Sequence, residues 1–165
     1  MISRILFFLF FLIFFCISAQ KTDSLDFWTA NGDVESMYRS LLKKKSKAEL
    51  SDKEFSHLIY AAQMTLNYKN AVAFATEWHE RSSRKGDSVN IIKAMNYQAK
   101  LYNQSGLFKK SAEVADYLVK YFRRTGNPQK MLQNQLVLGY SLTELKDLKA
   151  AKSVYDDIDR SGLNQ

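Results

Sequence analysis

Apolar residues recur along most of this chain at three- and four-residue spacing, the pattern of helices that bury one face. Val34, Met37, Tyr38, Leu41 and Leu42 predict a first helix, opened by Gly32-Asp33 and closed by the run Lys43 to Lys47. Phe55, Leu58, Ile59, Ala62 and Leu66 predict a second. Ser51 and Glu54 form a capping box at its start, pairing backbone N–H groups that the first turn leaves open. Ala71, Phe74, Ala75 and Trp78 predict a third, stopped by Gly86, with Asp87 as the cap of the next. Ile91, Ile92, Met95, Ala99 and Tyr102 form the fourth face, broken at Gly106; Ser111, Ala115, Leu118 and Phe122 form the fifth, ended by Gly126. Asn127 caps a sixth helix, and Pro128 sits at its first position, where a missing N–H costs nothing. Leu132, Leu136, Gly139, Leu142 and Leu145 mark that helix; Ala151, Val154, Tyr155 and Ile158 mark a seventh. Nothing in the sequence alternates with the period of a strand, so the reading is all-α.

The first nineteen residues follow a different pattern. One basic residue, Arg4, precedes an apolar run from Ile5 to Ile17, then Ser18-Ala19-Gln20 and a polar stretch. This is the order of a secretory signal with a small-residue cleavage site. Thirteen helical residues span about 20 Å, short of a bilayer's hydrocarbon core. The expectation is cleavage after Ala19 and export to the periplasm or beyond; an uncleaved membrane anchor is the alternative. Bulky Phe15 before Cys16 argues against a lipid-anchored cysteine. Cleavage would remove the one cysteine and leave no disulfide or cysteine-based zinc site. The 165 residues suit one domain, and one proline and six glycines argue against a turn-rich β architecture.

A shift of forty residues lays the chain over itself. Tyr68-Lys69-Asn70-Ala71 falls on Phe108-Lys109-Lys110-Ser111 and on Leu148-Lys149-Ala150-Ala151; Phe74 falls on Val114 and Val154, and Trp78 on Leu118 and Ile158. Arg84-Lys85-Gly86-Asp87 falls on Arg124-Thr125-Gly126-Asn127. Helices, stops and caps thus repeat in phase, as in an array of helix pairs. The third unit, with Leu138-Gly139, Leu142, Asp147-Leu148, Ala151 and Tyr155, resembles a tetratricopeptide (TPR) repeat. Tyr102, Gly106, Phe108 and Ser111 hold corresponding places in the second unit, and Tyr68 and Ala71 in the first. The period is longer than the usual 34 residues, and Trp78, Leu118 and Ile158 stand where the family often has alanine. The closer likeness is to the long variants of kinesin light chains and of bacterial regulators of the maltose-activator type. The resemblance covers about residues 51–160 and implies a right-handed helical-hairpin solenoid. The organisation expected is a signal at 1–19, a linker and capping helix at 20–50, and three TPR-like helix pairs at 51–165.

In TPR arrays the first helix of each pair lines a concave groove that binds peptides. Carried onto this chain, the groove positions are Lys53, Ser56, Tyr60 and Gln63, then Lys93, Asn96, Lys100, Asn103 and Gln104, then Gln133, Tyr140, Thr143 and Glu144. Lysines can pair with a carboxylate and asparagine amides can hold a peptide backbone. The formal charge of +7 fits a partner with acidic character. The dense run Lys43 to Lys47 reads as cations complementing a helix C-terminus rather than as a nucleic-acid site. His57 and His79 lack metal-ligand spacing, and phosphate-loop and nucleophile-elbow motifs are absent. Asp156, Asp157 and Asp159 read as a solvated face. Neither catalytic residues nor a metal or other cofactor is expected. Phe27 and Trp28 are expected to cover the leading end of the core, and Tyr155, Ile158 and Leu163 to leave an apolar trailing end through which copies could pair. The function expected is a non-enzymatic interaction module taking a peptide or protein segment. The alternative is the sensor portion of a membrane signalling or transcription-regulatory protein whose output domains lie elsewhere.

Overall fold

The computed structural model of the chain describes residues 31–46 and 49–160, the last two by their backbone alone. Among them are seven helices and no strand: α1 (Val34–Lys45), α2 (Asp52–Met64), α3 (Tyr68–Lys85), α4 (Ser88–Gln104), α5 (Phe108–Arg124), α6 (Pro128–Glu144) and α7 (Leu148–Arg160). The expected signal, Phe27, Trp28 and Leu163 lie outside the described residues. None of the seven helices is long and apolar enough to cross a membrane.

The turns show why the chain folds back so regularly. Leu66, Gly86, Gly106, Gly126 and Lys146 all take a left-handed backbone, with φ between 59° and 72°. They stand every twenty residues. After each, the next N–H reaches back five residues to a carbonyl: Asn67 to Ala62, Asp87 to Ser82, Leu107 to Tyr102, Asn127 to Phe122 and Asp147 to Leu142, at 2.8–3.0 Å. This closure satisfies carbonyls that a helix end would otherwise leave open, and it turns the chain through one fixed angle. Leu66 was expected on the apolar face of α2; it is instead the turn residue, 72% exposed. The starts are capped as expected: Asp33, Ser51, Asp87 and Asn127 each accept a bond from the N–H three residues on.

Each helix packs on the next, and α2, α4 and α6 also touch one another in series. The odd-numbered helices make no comparable contact among themselves. A helical solenoid results, with α2, α4 and α6 side by side along one face. Its core falls in two clusters. Met37, Leu50, Leu58, Ile59 and Trp78 centre the first, between α1 and α4; Ala99, Ala115, Leu118, Phe122 and Leu138 centre the second, between α4 and α6. Alanines at 61, 62, 71, 75, 94, 99 and 115, none measurably exposed, let the backbones approach.

α6 departs from its expected face. Leu136 and Leu145 are 50% and 44% exposed, whereas Asn134, Gln135 and Ser141 are buried. Hydrogen bonds explain the exchange. The Asn134 amide donates to Asn96 Oδ1 (3.0 Å) and to the Lys130 carbonyl (2.9 Å). Asn103 donates to Ser141, Ser141 to Ser111, and Ser111 to the Ala99 carbonyl, at 2.8–2.9 Å. This chain of hydroxyls joins α4, α5 and α6. Polar groups paired in this way sit inside without the desolvation penalty that unpaired ones carry.

The lysine run of α1 is bracketed by acids. Lys44 bonds Glu54 on α2, and Lys45 bonds Glu77 on α3 at 2.8 Å. At the trailing end, Ile158 is buried rather than open, whereas Tyr155 is 37% exposed although its ring lies over Gly139.

Three measurements check this account. Leu66→Gly and Lys146→Gly relieve a left-handed backbone that costs a non-glycine residue about 1–2 kcal/mol, less the entropy glycine adds to the unfolded chain. Each is expected to raise the unfolding free energy by up to about 1 kcal/mol, seen as a higher urea midpoint. A Cβ at Gly139 would meet the Tyr155 ring at 2.7 Å. Gly139→Leu is therefore expected to cost about 1–3 kcal/mol by overpacking, and less in a Tyr155→Ala background, where the blocking ring is gone. Finally, helix-start carboxylates are held below their ordinary range. The Ser36 hydroxyl and N–H lower Asp33, and the Asn90 N–H and amide lower Asp87. Burial pushes Glu54 up, but Lys44 and the Ser51 N–H and hydroxyl together pull it further down. Carboxyls more acidic in the folded than the unfolded state stabilise the fold above their ordinary pKa, and that contribution fades as pH falls through it. The melting temperature should drop between about pH 5 and about pH 3, and drop less in Glu54→Gln.

Candidate binding groove

The face made by α2, α4 and α6 opens into a groove of about 870 Å³. Asp52, Lys53 and Ser56 of α2, with Trp78 of α3, form one side. Val89, Asn90, Ile92, Lys93, Asn96, Tyr97 and Lys100 of α4 run through it. Tyr121, Phe122 and Thr125 of α5, with Asn127 and Lys130 at the start of α6, form the other side. The helical repeat places Lys93, Asn96 and Lys100 on one face of α4, at spacings of three and four.

The floor is aromatic. The Trp78 and Tyr97 rings lie 6.1 Å apart, and those of Tyr121 and Phe122 meet edge to face at 5.2 Å. Trp78 is 2% exposed, and its indole N–H donates to Asp52 Oδ1 at 2.8 Å. The other Asp52 oxygen accepts from the Asn90 amide, which also bonds Asp87. Burial pushes the Tyr97 phenol above its ordinary range, so it stays a neutral donor.

The lining carries four amines against one carboxylate. Ion pairs among the described residues join Arg39 to Glu35, Lys44 to Glu54, Lys45 to Glu77, Arg81 and Lys85 to Glu49, Lys120 to Asp116, Arg123 to Asp157 and Lys152 to Asp156. None of these takes Lys93, Lys100 or Lys130. Partial burial, and after it the neighbouring Lys130 ammonium, lower the Lys100 pKa. The Lys93, Lys100 and Lys130 side chains are exposed at the groove, and like charges that repel each other favour an anion near them.

Of the expected groove residues, Lys53, Ser56, Lys93, Asn96 and Lys100 come together here. Tyr60, Gln63, Asn103, Gln104, Tyr140, Thr143 and Glu144 lie toward the C-terminal ends of the same helices, and Gln133, near the start of α6, accepts from the Lys130 ammonium at 3.4 Å. The Gln63 amide donates to the Gln104 amide oxygen at 3.0 Å, tying α2 to α4. Tyr60 is 42% exposed, and the Tyr140 ring packs edge-on against Phe108 at 6.2 Å. Asn96 and Asn103 were expected to hold a ligand backbone. The Asn96 amide instead donates to the Ile92 carbonyl while its oxygen accepts from Asn134, and the Asn103 amide donates to Ser141. Both asparagines join helices.

Sequence reasoning missed Trp78, Asn90, Tyr97, Tyr121, Phe122 and Lys130. Two signals could have found some of them. Asn90 and Lys130 stand forty apart, each three residues after a capping Asp87 or Asn127. Tyr97 adjoins the Lys93–Lys100 face. The lining of the groove includes no histidine or cysteine. No group of three or more His, Cys, Asp or Glu among the described residues could hold a metal ion.

Comparison with family models, with curated proteins and with solved structures finds no match to this chain.

Proposed function

We propose that this chain is a non-enzymatic binding module, an exported TPR-type adaptor that takes a peptide or protein segment of acidic character in the groove of α2, α4 and α6. The observation that carries the reading is the composition of that groove: amines at its rim over an aromatic floor, open along three parallel helices. Apolar rings supply non-directional affinity, and amines supply selectivity for anions. Its volume, about 870 Å³, lies at the upper end of ligand sites and suits a short run of peptide. The long-period TPR resemblance of residues 51–160 adds a right-handed superhelix and an inner face suited to peptides. The signal-like segment at 1–19 adds export and, after cleavage, a chain with no membrane span. Self-association through the trailing end is the weaker part of the reading, because Ile158 is buried and, of the two described residues expected there, only Tyr155 is exposed.

The test is a binding screen of the purified protein against arrayed peptides of varied charge, repeated with a Lys93→Glu, Lys100→Glu variant. Acidic peptides should bind, more weakly as salt rises. The variant should lose about tenfold or more in affinity while keeping its helical circular dichroism. Equal binding by the variant would remove the groove from the reading.

A further inference from the structure

The amines on α4 have a spacing that selects among acidic ligands. Lys93 and Lys100 are seven positions apart on one helix, two turns or about 10.5 Å along its axis. Between them, Asn96 has its amide N–H bonded to the Ile92 carbonyl and its oxygen taken by Asn134. One N–H and one lone pair of the Asn96 amide are thus already held within the protein. Beside it lie the half-buried rings of Tyr97 and Tyr121. Lys130 adds a second amine near Lys100, on the far side of the groove.

A ligand meeting this surface needs two carboxylates about 10 Å apart, facing one way, with apolar atoms between them. An extended strand does this poorly, since its same-face residues stand about 6.6 or about 13 Å apart. A polyproline II segment does it well. It has three residues per turn and rises about 3.1 Å per residue, so residues three apart return to the same face about 9 Å apart. It also keeps its backbone solvated and makes no internal hydrogen bonds, so its backbone groups can stay paired with water while the Asn96 and Asn103 amides go on joining helices. Pre-formed proline-rich segments dock on aromatic-lined grooves for the same reason.

We propose that the groove selects an internal polyproline II segment with two acidic residues three positions apart, one carboxylate at Lys93 and the other between Lys100 and Lys130. This deepens the peptide-binding reading above and rests on it. The partner is another polypeptide bearing an acid-x-x-acid stretch, recognised along its length and not by its terminal carboxylate.

The experiment is fluorescence anisotropy of the full-length purified protein with labelled, acetylated and amidated peptides. The probes are Glu-Pro-Pro-Glu, its two-apart and five-apart counterparts Glu-Pro-Glu and Glu-Pro-Pro-Pro-Pro-Glu, and the single-charge Gln-Pro-Pro-Glu. The expected result is that Glu-Pro-Pro-Glu binds about tenfold tighter than each of the others. Lys93→Gln and Lys100→Gln should each bring it down to the level of Gln-Pro-Pro-Glu while leaving helicity unchanged. Equal affinity at all three spacings, still lost in the Lys93→Glu, Lys100→Glu variant, would overturn the register and leave the groove reading standing. So would a need for a free C-terminus, or displacement by inorganic phosphate at the peptide's own concentration. Binding of no acidic peptide at any spacing, or binding that the charge reversal leaves intact, would overturn both.

Discussion

Everything regular in this molecule depends on one local conformation: a left-handed residue every twenty positions, closed by a hydrogen bond reaching back five residues. That closure allows little freedom in how one helix leaves another. Repeated five times, it makes each hairpin a copy of the last, so α2, α4 and α6 come out parallel and adjacent. Three of the five positions are glycine, which takes this backbone without steric penalty. Leu66 and Lys146 take it against their intrinsic preference, and both project into solvent. The packing of the flanking helices holds them there, since nothing in either side chain favours that conformation. The repeat of the backbone is therefore stricter than the repeat of the sequence that encodes it.

Parallel helices brought this close must agree in register, and here apolar contact is not the only agent. Small residues dominate the seams, and small residues slide. The bonds Asn96–Asn134, Asn103–Ser141–Ser111 and Gln63–Gln104 fix the slide of α6 on α4 and of α4 on α2. A shift by one residue would strand buried amides and hydroxyls, a heavier penalty than the loss of an equal apolar contact. Stability comes mostly from the two clusters of rings and aliphatic chains, whereas the position of one unit on the next comes from polar pairs.

How much of this could be read from the chain follows from the same division. The starts and glycine stops were legible because each is a local event with its own residue type: Ser51 with Glu54, Asp87, Asn127, Gly86, Gly106, Gly126. The forty-residue period was legible because those signals fall in phase. Leu66 and Lys146 were not legible as turns, because a leucine or lysine in left-handed backbone is imposed from outside. The face of α6 was not legible because Asn134, Gln135 and Ser141 look like solvent residues until their partners on α4, α5 and α7 are in place. The groove shows the same limit. Lys53, Lys93 and Lys100 follow from helical spacing on one helix type, but Trp78, Tyr121 and Phe122 reach the site from the other helices of their hairpins.

The charges complete the argument. Carboxylates in this chain are largely committed to structure: Asp33, Glu54 and Asp87 at helix starts, Glu77 and Glu54 bracketing α1, Asp157 linking α5 to α6 through Arg123 and Gln135. Even the acid in the groove, Asp52, is turned toward an indole and an amide. Amines outnumber these acids, and the surplus is not spread evenly. Lys93, Lys100 and Lys130 line one groove, where desolvation and, after it, the Lys130 charge disfavour the charged form of Lys100. These amines stand together over aromatic rings, while acids elsewhere are tied to helix ends, and that contrast is the reason we propose this face for an anionic partner.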